Sequence, residues 1–344
     1  MKTCFITGVT GQDGAHIAQQ LVEDGWKVYG GRRRGSSSST WRLDYLGITE
    51  KIELVECQLT EPQNMIELLQ NIKPDHIFHY AGESFVADSF KYPGVTLDVN
   101  AHGTLNLLEA ARLVSPKSRI LCASSSEIFG SSRLGGVCNE SSEHRPGNPY
   151  GISKLTALHY ARLYRERHGA FVCSAIMFNH EGPLRGGPFV TRKITHNIAR
   201  LKVEGGDCFE LGNLDSARDW GAAEDYVTAG RLMLGLNEPS DYVIASGKAL
   251  TVRDFLGLAA SAAGFDPIFE GQGIEEVCID RLTGKVLTKV SSKYFRPQDT
   301  PAITGDASKL IQDSGWAGTR NLSELVSEMV ESDIHRWKHG LVNI

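Results

Sequence analysis

Tyr150 and Lys154 stand four residues apart, the spacing that sets two side chains on one face of a helix. A lysine placed there can hold a ribose hydroxyl and lower the pKa of the phenol by its charge. Tyr150 can then take a proton from an alcohol as a hydride leaves the same carbon. Upstream, Ser124-Ser125-Ser126-Glu127 follows the apolar run 120–123, so it emerges at the carboxyl end of a strand. Alternation puts Ser125 and Glu127 on one side if the strand continues that far. Glu127 adds a second acid/base, able to take a proton from the carbon next to a new ketone and to return one to a departing hydroxyl. Near the N-terminus, Gly8-Val9-Thr10-Gly11-Gln12-Asp13-Gly14 follows another apolar run. Small residues at such a strand-to-helix turn let a pyrophosphate approach the backbone and meet the helix N-terminus. A plain turn, a half-buried tyrosine beside a surface lysine and a helix-capping glutamate are the ordinary alternatives for each part taken alone. The three in this order point to redox chemistry on a bound nicotinamide.

The second strand sharpens the cofactor. Where an NAD-binding fold places an acidic residue against the ribose, this chain has Arg32, Arg33 and Arg34, followed by Ser36 and Ser37. Guanidinium groups pair with a 2′-phosphate, so NADP is the expected cofactor. An exposed basic loop at an oligomer interface is the other reading of the same arginines.

The elements that must position these residues alternate from the start. Cys4-Phe5-Ile6, Lys27-Val28-Tyr29, Ile52-Glu53-Leu54-Val55, His76-Ile77-Phe78-His79-Tyr80 and Ile120-Leu121-Cys122-Ala123 read as strands, with crossover helices between them. The fold class expected is α/β, a Rossmann-type doubly wound parallel sheet with a smaller C-terminal substrate-binding lobe. A helix over 150–167, a strand over 171–177, a loop over 182–188 and helices over 190–204, 226–236, 251–263 and 322–337 complete the pattern. The boundaries expected are 1–178 for the NADP-binding domain, with 213–247 returning to it, and 179–212 with 248–344 for the substrate lobe. The serine run 36–39 reads as a flexible loop.

The totals set limits. In 344 residues, 36 Lys and Arg against 41 Asp and Glu give a net charge of -5, so no nucleic-acid partner is expected. No apolar stretch reaches the roughly 20 residues of a membrane span. The N-terminus enters a strand pattern by Thr3 with no basic and apolar leader, which reads as cytoplasmic. The seven cysteines have no metal-ligand spacing and several fall in strand patterns, so buried free thiols and no metal are expected.

At these residues the chain resembles the extended short-chain dehydrogenase/reductases, and within them the GDP-mannose 4,6-dehydratase family. The likeness runs nearly end to end: the 7–14 glycine loop, Arg33-Arg34, the 123–130 segment, Phe178-Asn179-His180-Glu181, the 189–194 segment, Arg218-Asp219-Trp220-Gly221 and Tyr294-Phe295-Arg296-Pro297. The resemblance implies a lyase of deoxysugar biosynthesis acting by an internal redox cycle. Tyr150 takes the C4 hydroxyl proton, Glu127 takes the C5 proton and assists loss of water from C6, and the hydride moves from C4 to C6. Ser125 and Lys154 complete the catalytic set. Gly8, Gly11, Gln12, Asp13, Gly14, Arg33, Arg34, Gln58, Leu59, Tyr80, Tyr150 and Lys154 are implied for the cofactor. Ser84, Glu127, Asn179, Val190, Lys193, Arg218 and Arg296 are implied for a GDP-sugar. A homodimer built by helix pairing, or a homotetramer through the 32–39 loop, is implied for assembly.

The chain departs from the family pattern in places. Ser125 stands where threonine is usual, Gln58 where aspartate is, Glu83 where glutamine is and Phe85 where histidine is. Leu184 and Gly187-Pro188 change a loop usually richer in arginine and glutamate. These last changes lie near the sugar side and leave a GDP-manno-heptose open beside GDP-mannose. A GDP-4-keto-6-deoxymannose reductase or an epimerase would share Tyr150 and Lys154 but has no need of Glu127. A catalytically silent nucleotide-sensing scaffold would have no need of Ser125, Tyr150 and Lys154 together.

Overall fold

The computed structural model describes residues 1–33, 40–130, 136–295, 302–318 and 320–341. The serine run 36–39 therefore lies outside the described residues. Seven strands form one parallel sheet in the spatial order Asp241–Ile244, Val172–Met177, Arg119–Ser125, His76–His79, Thr3–Thr7, Lys27–Arg32, Glu53–Glu56. The first strand lies inside the sheet, and the chain winds away from it in both directions. This reversal leaves a crevice at the carboxyl ends of Thr3–Thr7 and His76–His79, where such sheets bind ligands.

Both faces of the sheet are covered, and the first strand records why its sequence is continuously apolar. Cys4 and Ile6 enter one buried cluster with Leu21, Phe78 and Tyr226, while Phe5 between them enters a second with Leu69, Leu107 and Ile120. Close approach of strands and crossover segments depends on glycine: a Cβ on Gly30 would press on the Val9 side chain, and one on Gly31 would lie 2.9 Å from Cys57 Cβ. Six of the seven cysteines are buried and all are free, with burial pushing the Cys4, Cys57 and Cys122 thiols up to about 12.

A separate cluster holds the second lobe together. Ile194, Ile198, Phe255, Leu287, Val326 and Met329 meet there, from the helices Val190–Val203, Val252–Ala262 and Leu322–Lys338 and a small four-stranded sheet. The helix Ala223–Met233 returns to the first core, where Tyr226, Val227 and Met233 pack, and the strand Asp241–Ile244 closes the edge of the large sheet. The segment 302–316 does the same, although it lies within the stretch assigned from sequence to the substrate lobe. Its strand Ile303–Gly305 pairs with Gly136–Cys138, and Ala307, Leu310 and Trp316 join the first cluster. No helix among the described residues is long and apolar enough to cross a membrane.

Candidate active site

A cavity of about 720 Å³ opens at the crevice. Its floor is the glycine loop. Gly8 has φ +72, and a Cβ there would lie 2.8 Å from the Ala81 backbone. A Cβ on Gly14 would collide with the Gly8 carbonyl. The helix Gln12–Glu23 starts at Gly11 with no side-chain cap, so its first N–H groups are left for a ligand. Asp13 in that first turn lies 3.1 Å from His180 Nε2. Burial opposes the Asp13 charge, but His180 first and Arg185 next more than offset it and hold the carboxyl at about 2. Burial also opposes the imidazolium of His180, and Asp13 outweighs it, raising the His180 pKa.

The strand does not continue as far as Glu127: it ends at Ser125, and residues Ser126–Ile128 turn as a single 3-10 coil. Strand alternation therefore does not place Glu127. The turn does, with Ser125 Oγ accepting from Glu127 N at 3.2 Å. The helix Pro149–His168 presses its first turn onto this corner: Gly151 lies so close that a Cβ would sit 2.5 Å from the Glu127 carbonyl. Asn148 caps the helix through Oδ1, which accepts from Gly151 N at 2.8 Å, and its Nδ2 donates to Glu127 Oε2 at 2.7 Å.

Tyr150 and Lys154 project from that helix into the cavity. Lys154 Nζ donates to the Ala123 carbonyl at 2.9 Å and lies 6.0 Å from the Tyr150 ring centroid. Burial lowers the Lys154 pKa to about 8. The tyrosine departs from expectation. Burial raises its pKa to about 12 and Glu127 adds to the rise, while a hydrogen bond from Ser125 works against it. Desolvation, rather than the Lys154 charge expected from sequence, sets the direction.

A second layer not read from the sequence supports this helix. Residues Asp98–His102 form one wide π turn, a distortion that frequently marks a functional site. Asn100 there accepts from Glu83 N at 2.8 Å and donates to Ser153 Oγ at 3.0 Å, and Ser153 in turn donates to the Tyr150 carbonyl at 2.7 Å. Behind it, buried His79 bridges Thr7 Oγ1 at 2.8 Å and Thr104 Oγ1 at 3.0 Å. Burial lowers its pKa to about 3, so the ring is neutral and the bridge is one of polar groups alone.

The residues expected for the cofactor converge. Gly8, Gly11, Gln12, Asp13 and Gly14 line the floor, Arg33, Gln58 and Leu59 line one end, and Tyr80 also lines the cavity. Arg34 lies outside the described residues. Of the sugar residues, Ser84, Glu127 and Asn179 line the cavity. Val190, Lys193 and Arg218 do not: the first two follow in the opening turn of Val190–Val203, where Lys193 Nζ lies 4.2 Å from the Tyr294 ring, and Arg218 lies on the strand Ala217–Ala222. Arg296 lies outside the described residues.

The sugar-side wall brings in Arg185, Phe189 and Arg42, which the sequence did not single out for it. Arg185 lines it, 3.0 Å from buried Glu181 and 3.5 Å from the Phe189 ring centroid. Phe189 meets Phe85 edge to face at 5.8 Å. Arg42 ties both halves together, donating from Nη1 to the Thr10 carbonyl at 3.0 Å and from Nε to the Leu184 carbonyl at 2.7 Å. Leu184 itself is fully buried in the first core and turns away from the cavity. The spacing Asn179-His180-Glu181 and the following Arg185 carried a usable signal, whereas the π turn around Asn100 carried none.

A dinucleotide fits these residues by their own chemistry. The floor is glycine backbone that any Cβ would fill, a helix N-terminus faces it, Arg33 stands at one end, and the buried Ser124 hydroxyl has no protein partner.

Comparison with known proteins agrees with this arrangement. A family model described as GDP-mannose 4,6 dehydratase matches residues 5–329. The GDP-mannose 4,6-dehydratase of Yersinia enterocolitica is 39% identical over 360 residues, covering 99% of this chain and 96% of its own. That of Cricetulus griseus is 38% identical over 342 residues, covering 97% and 91%. Among solved structures, UDP-glucose 4-epimerase from Thermotoga maritima with UDP-glucose superposes with a TM-score of 0.81 at 21% identity, over 98% of this chain and 99% of that one. RMD from Pseudomonas aeruginosa complexed with NADPH superposes with a TM-score of 0.78 at 23% identity, over 98% and 100%. At such identities the superpositions speak to the fold.

Proposed function

The chain belongs to the GDP-mannose 4,6-dehydratase family of nucleotide-sugar hydro-lyases, and we propose that it converts GDP-mannose to GDP-4-keto-6-deoxymannose with NADP. The observation that carries this reading is the meeting of Ser125, Glu127, Tyr150 and Lys154 at one corner of a cavity floored by the glycine loop. When bound, NADP would take up a hydride from C4 of the sugar and give it back at C6, ending the cycle unchanged.

The residues have separate tasks. Ser125 hydrogen-bonds the Tyr150 phenol, which accepts the proton of the C4 hydroxyl. Burial pushes that phenol up, and the hydrogen bond with Ser125 works against the rise. Glu127 takes the C5 proton and delivers a proton to the C6 hydroxyl, which departs as water. Its two roles need one carboxylate facing two adjacent carbons. Arg32 and Arg33 both line the cavity, and charge-assisted hydrogen bonding from Arg33 to a 2′-phosphate would favour NADP over NAD. The exposed apolar residues Ile152 and Leu163 on the Pro149–His168 helix suit the helix-paired homodimer implied by the sequence.

The test is incubation of the purified protein with GDP-mannose and, separately, GDP-manno-heptose, with a trace of NADP and no reductant. Loss of one water from GDP-mannose, read by mass, is the expected result. Loss from the heptose alone would move the substrate assignment. A requirement for one NADPH per turnover would replace the dehydratase with a reductase.

A further inference from the structure

We infer that Asn148 is a positioning residue that sets Glu127 in register with Tyr150, by linking the Glu127 carboxylate to the first turn of the helix that carries the tyrosine. The inference rests on the dehydratase reading of Glu127 and adds a residue to it.

The chemistry of the carboxamide fixes its direction. Its oxygen can only accept, and it accepts from Gly151 N at 2.8 Å as the helix cap. The nitrogen must therefore point the other way, and it donates to Glu127 Oε2 at 2.7 Å. One planar group thus joins a backbone donor of the catalytic helix to an acid/base from a different element, and no rotation about its last bond keeps both contacts. The backbones are in contact at the same point, since a side chain on Gly151 would press on the Glu127 carbonyl at 2.5 Å. Glu127 is held from its other end by Ser125 Oγ at 3.2 Å from its N–H. With Oε2 committed to Asn148, the remaining oxygen is the one left to face C5 and C6. Tyr150, two residues beyond Asn148, faces C4 from the same turn. The distance between the two proton-handling groups is therefore set by a single amide.

Serine and aspartate cap helices as well as asparagine does, so Asn148→Ser and Asn148→Asp separate the cap from the reach. The serine is too short to touch Glu127. The aspartate sets a second carboxylate against it. Unchanged melting temperatures will show that the helix start survives. In the cofactor-saturated protein, the carboxyl-carbon resonance of Glu127, identified by its loss in Glu127→Gln, is expected to shift in both variants. With substrate, kcat is expected to fall about tenfold or more while KM stays within about threefold, the split of an interaction used after binding. Reduced nicotinamide should build up in the first turnover, because oxidation at C4 does not use Glu127. A Glu127 resonance unmoved in Asn148→Ser, or a wild-type kcat in Asn148→Asp, would overturn the inference. The two readings fail separately: absence of dehydrated product from the unaltered protein counts against the dehydratase, and the resonance still decides whether Asn148 holds Glu127.

Discussion

The two ends of the cavity are built in different ways. The cofactor floor is backbone: glycines at 8, 11 and 14, an uncapped helix start and a positive φ at Gly8, all within one short stretch of chain. The sugar-side wall is side chain against side chain across long separations. Phe189 packs on Phe85, and Arg185 sits on Phe189 and pairs with Glu181. A backbone site tolerates no added atoms and offers one geometry. A wall of paired side chains can be retuned one residue at a time, which is how a common reaction comes to be used on different sugars. The catalytic corner lies between them and takes something from each, a local helix spacing for Tyr150 and Lys154 and a contact across 21 residues for Asn148 and Glu127.

Changes at the corner should cost most. Tyr150→Phe removes a proton acceptor and little volume, so turnover is expected to fall by about 10²–10⁴-fold with cofactor binding kept. Steady-state kinetics beside a cofactor titration measures both. Near-normal turnover would remove Tyr150 from its role.

At the cofactor end, Arg33→Ala should weaken NADP by about tenfold while leaving NAD nearly unchanged, since one charge-assisted hydrogen bond is worth ~1.5 kcal/mol. Glu83→Gln should act in the opposite direction by freeing Arg33 from a competing carboxylate. Titration of both cofactors into each variant decides it, and equal losses for NADP and NAD would detach Arg33 from the 2′-phosphate.

At the sugar end the effect should be smaller and fall on binding. Phe189→Ala removes the edge-to-face contact with Phe85 and the seat of Arg185, pairs worth ~0.5–1.5 kcal/mol each. A rise in KM for the GDP-sugar with kcat and NADP affinity held is expected from initial rates. A fall in NADP affinity instead would mean that the two ends are not separable.

A further effect is on stability and its pH dependence. With Lys154 lowered from 10.5 to about 8, the unfolded chain binds more protons than the folded one between those values, so stability contributed at this site rises with pH there. Tyr150, raised from 10 to about 12, reverses the sign above pH 10. Urea midpoints between about pH 8 and pH 10 should therefore climb in the unaltered protein relative to Lys154→Met. Parallel curves would show that burial of the ammonium is not felt.

The difference between the two ends also explains what the sequence made legible. Cys4-Phe5-Ile6 reads as a strand because a short apolar run is a local signal, and the helix of Tyr150 and Lys154 reads from spacing four. The fold and the cofactor floor follow from such short-range signals. Glu127 was legible as a residue but not in its placement, since the strand stops at Ser125 and a 3-10 turn takes over. Asn100 was not legible at all: a π turn has no sequence period of its own, and the hydrogen bonds of Asn100 join residues 83 and 153. The Tyr150 pKa was misjudged because a neighbouring charge can be read from spacing, whereas depth of burial cannot. Val190, Lys193 and Arg218, taken from resemblance, stand outside the cavity wall that ends at Phe189.

Glu127→Gln tests the central claim most directly, because it keeps the shape of the side chain and removes only the base. A single turnover of the cofactor-saturated variant with the GDP-sugar that the unaltered protein dehydrates, followed by nicotinamide absorbance and product mass together, separates oxidation from elimination. The expected result is reduced nicotinamide that persists with no dehydrated product, since C4 is oxidised but C5 keeps its proton and C6 its hydroxyl. Dehydrated product released at the rate of the unaltered protein would contradict the account, leaving Glu127 as a structural residue and a reductase or epimerase as the better description of the site.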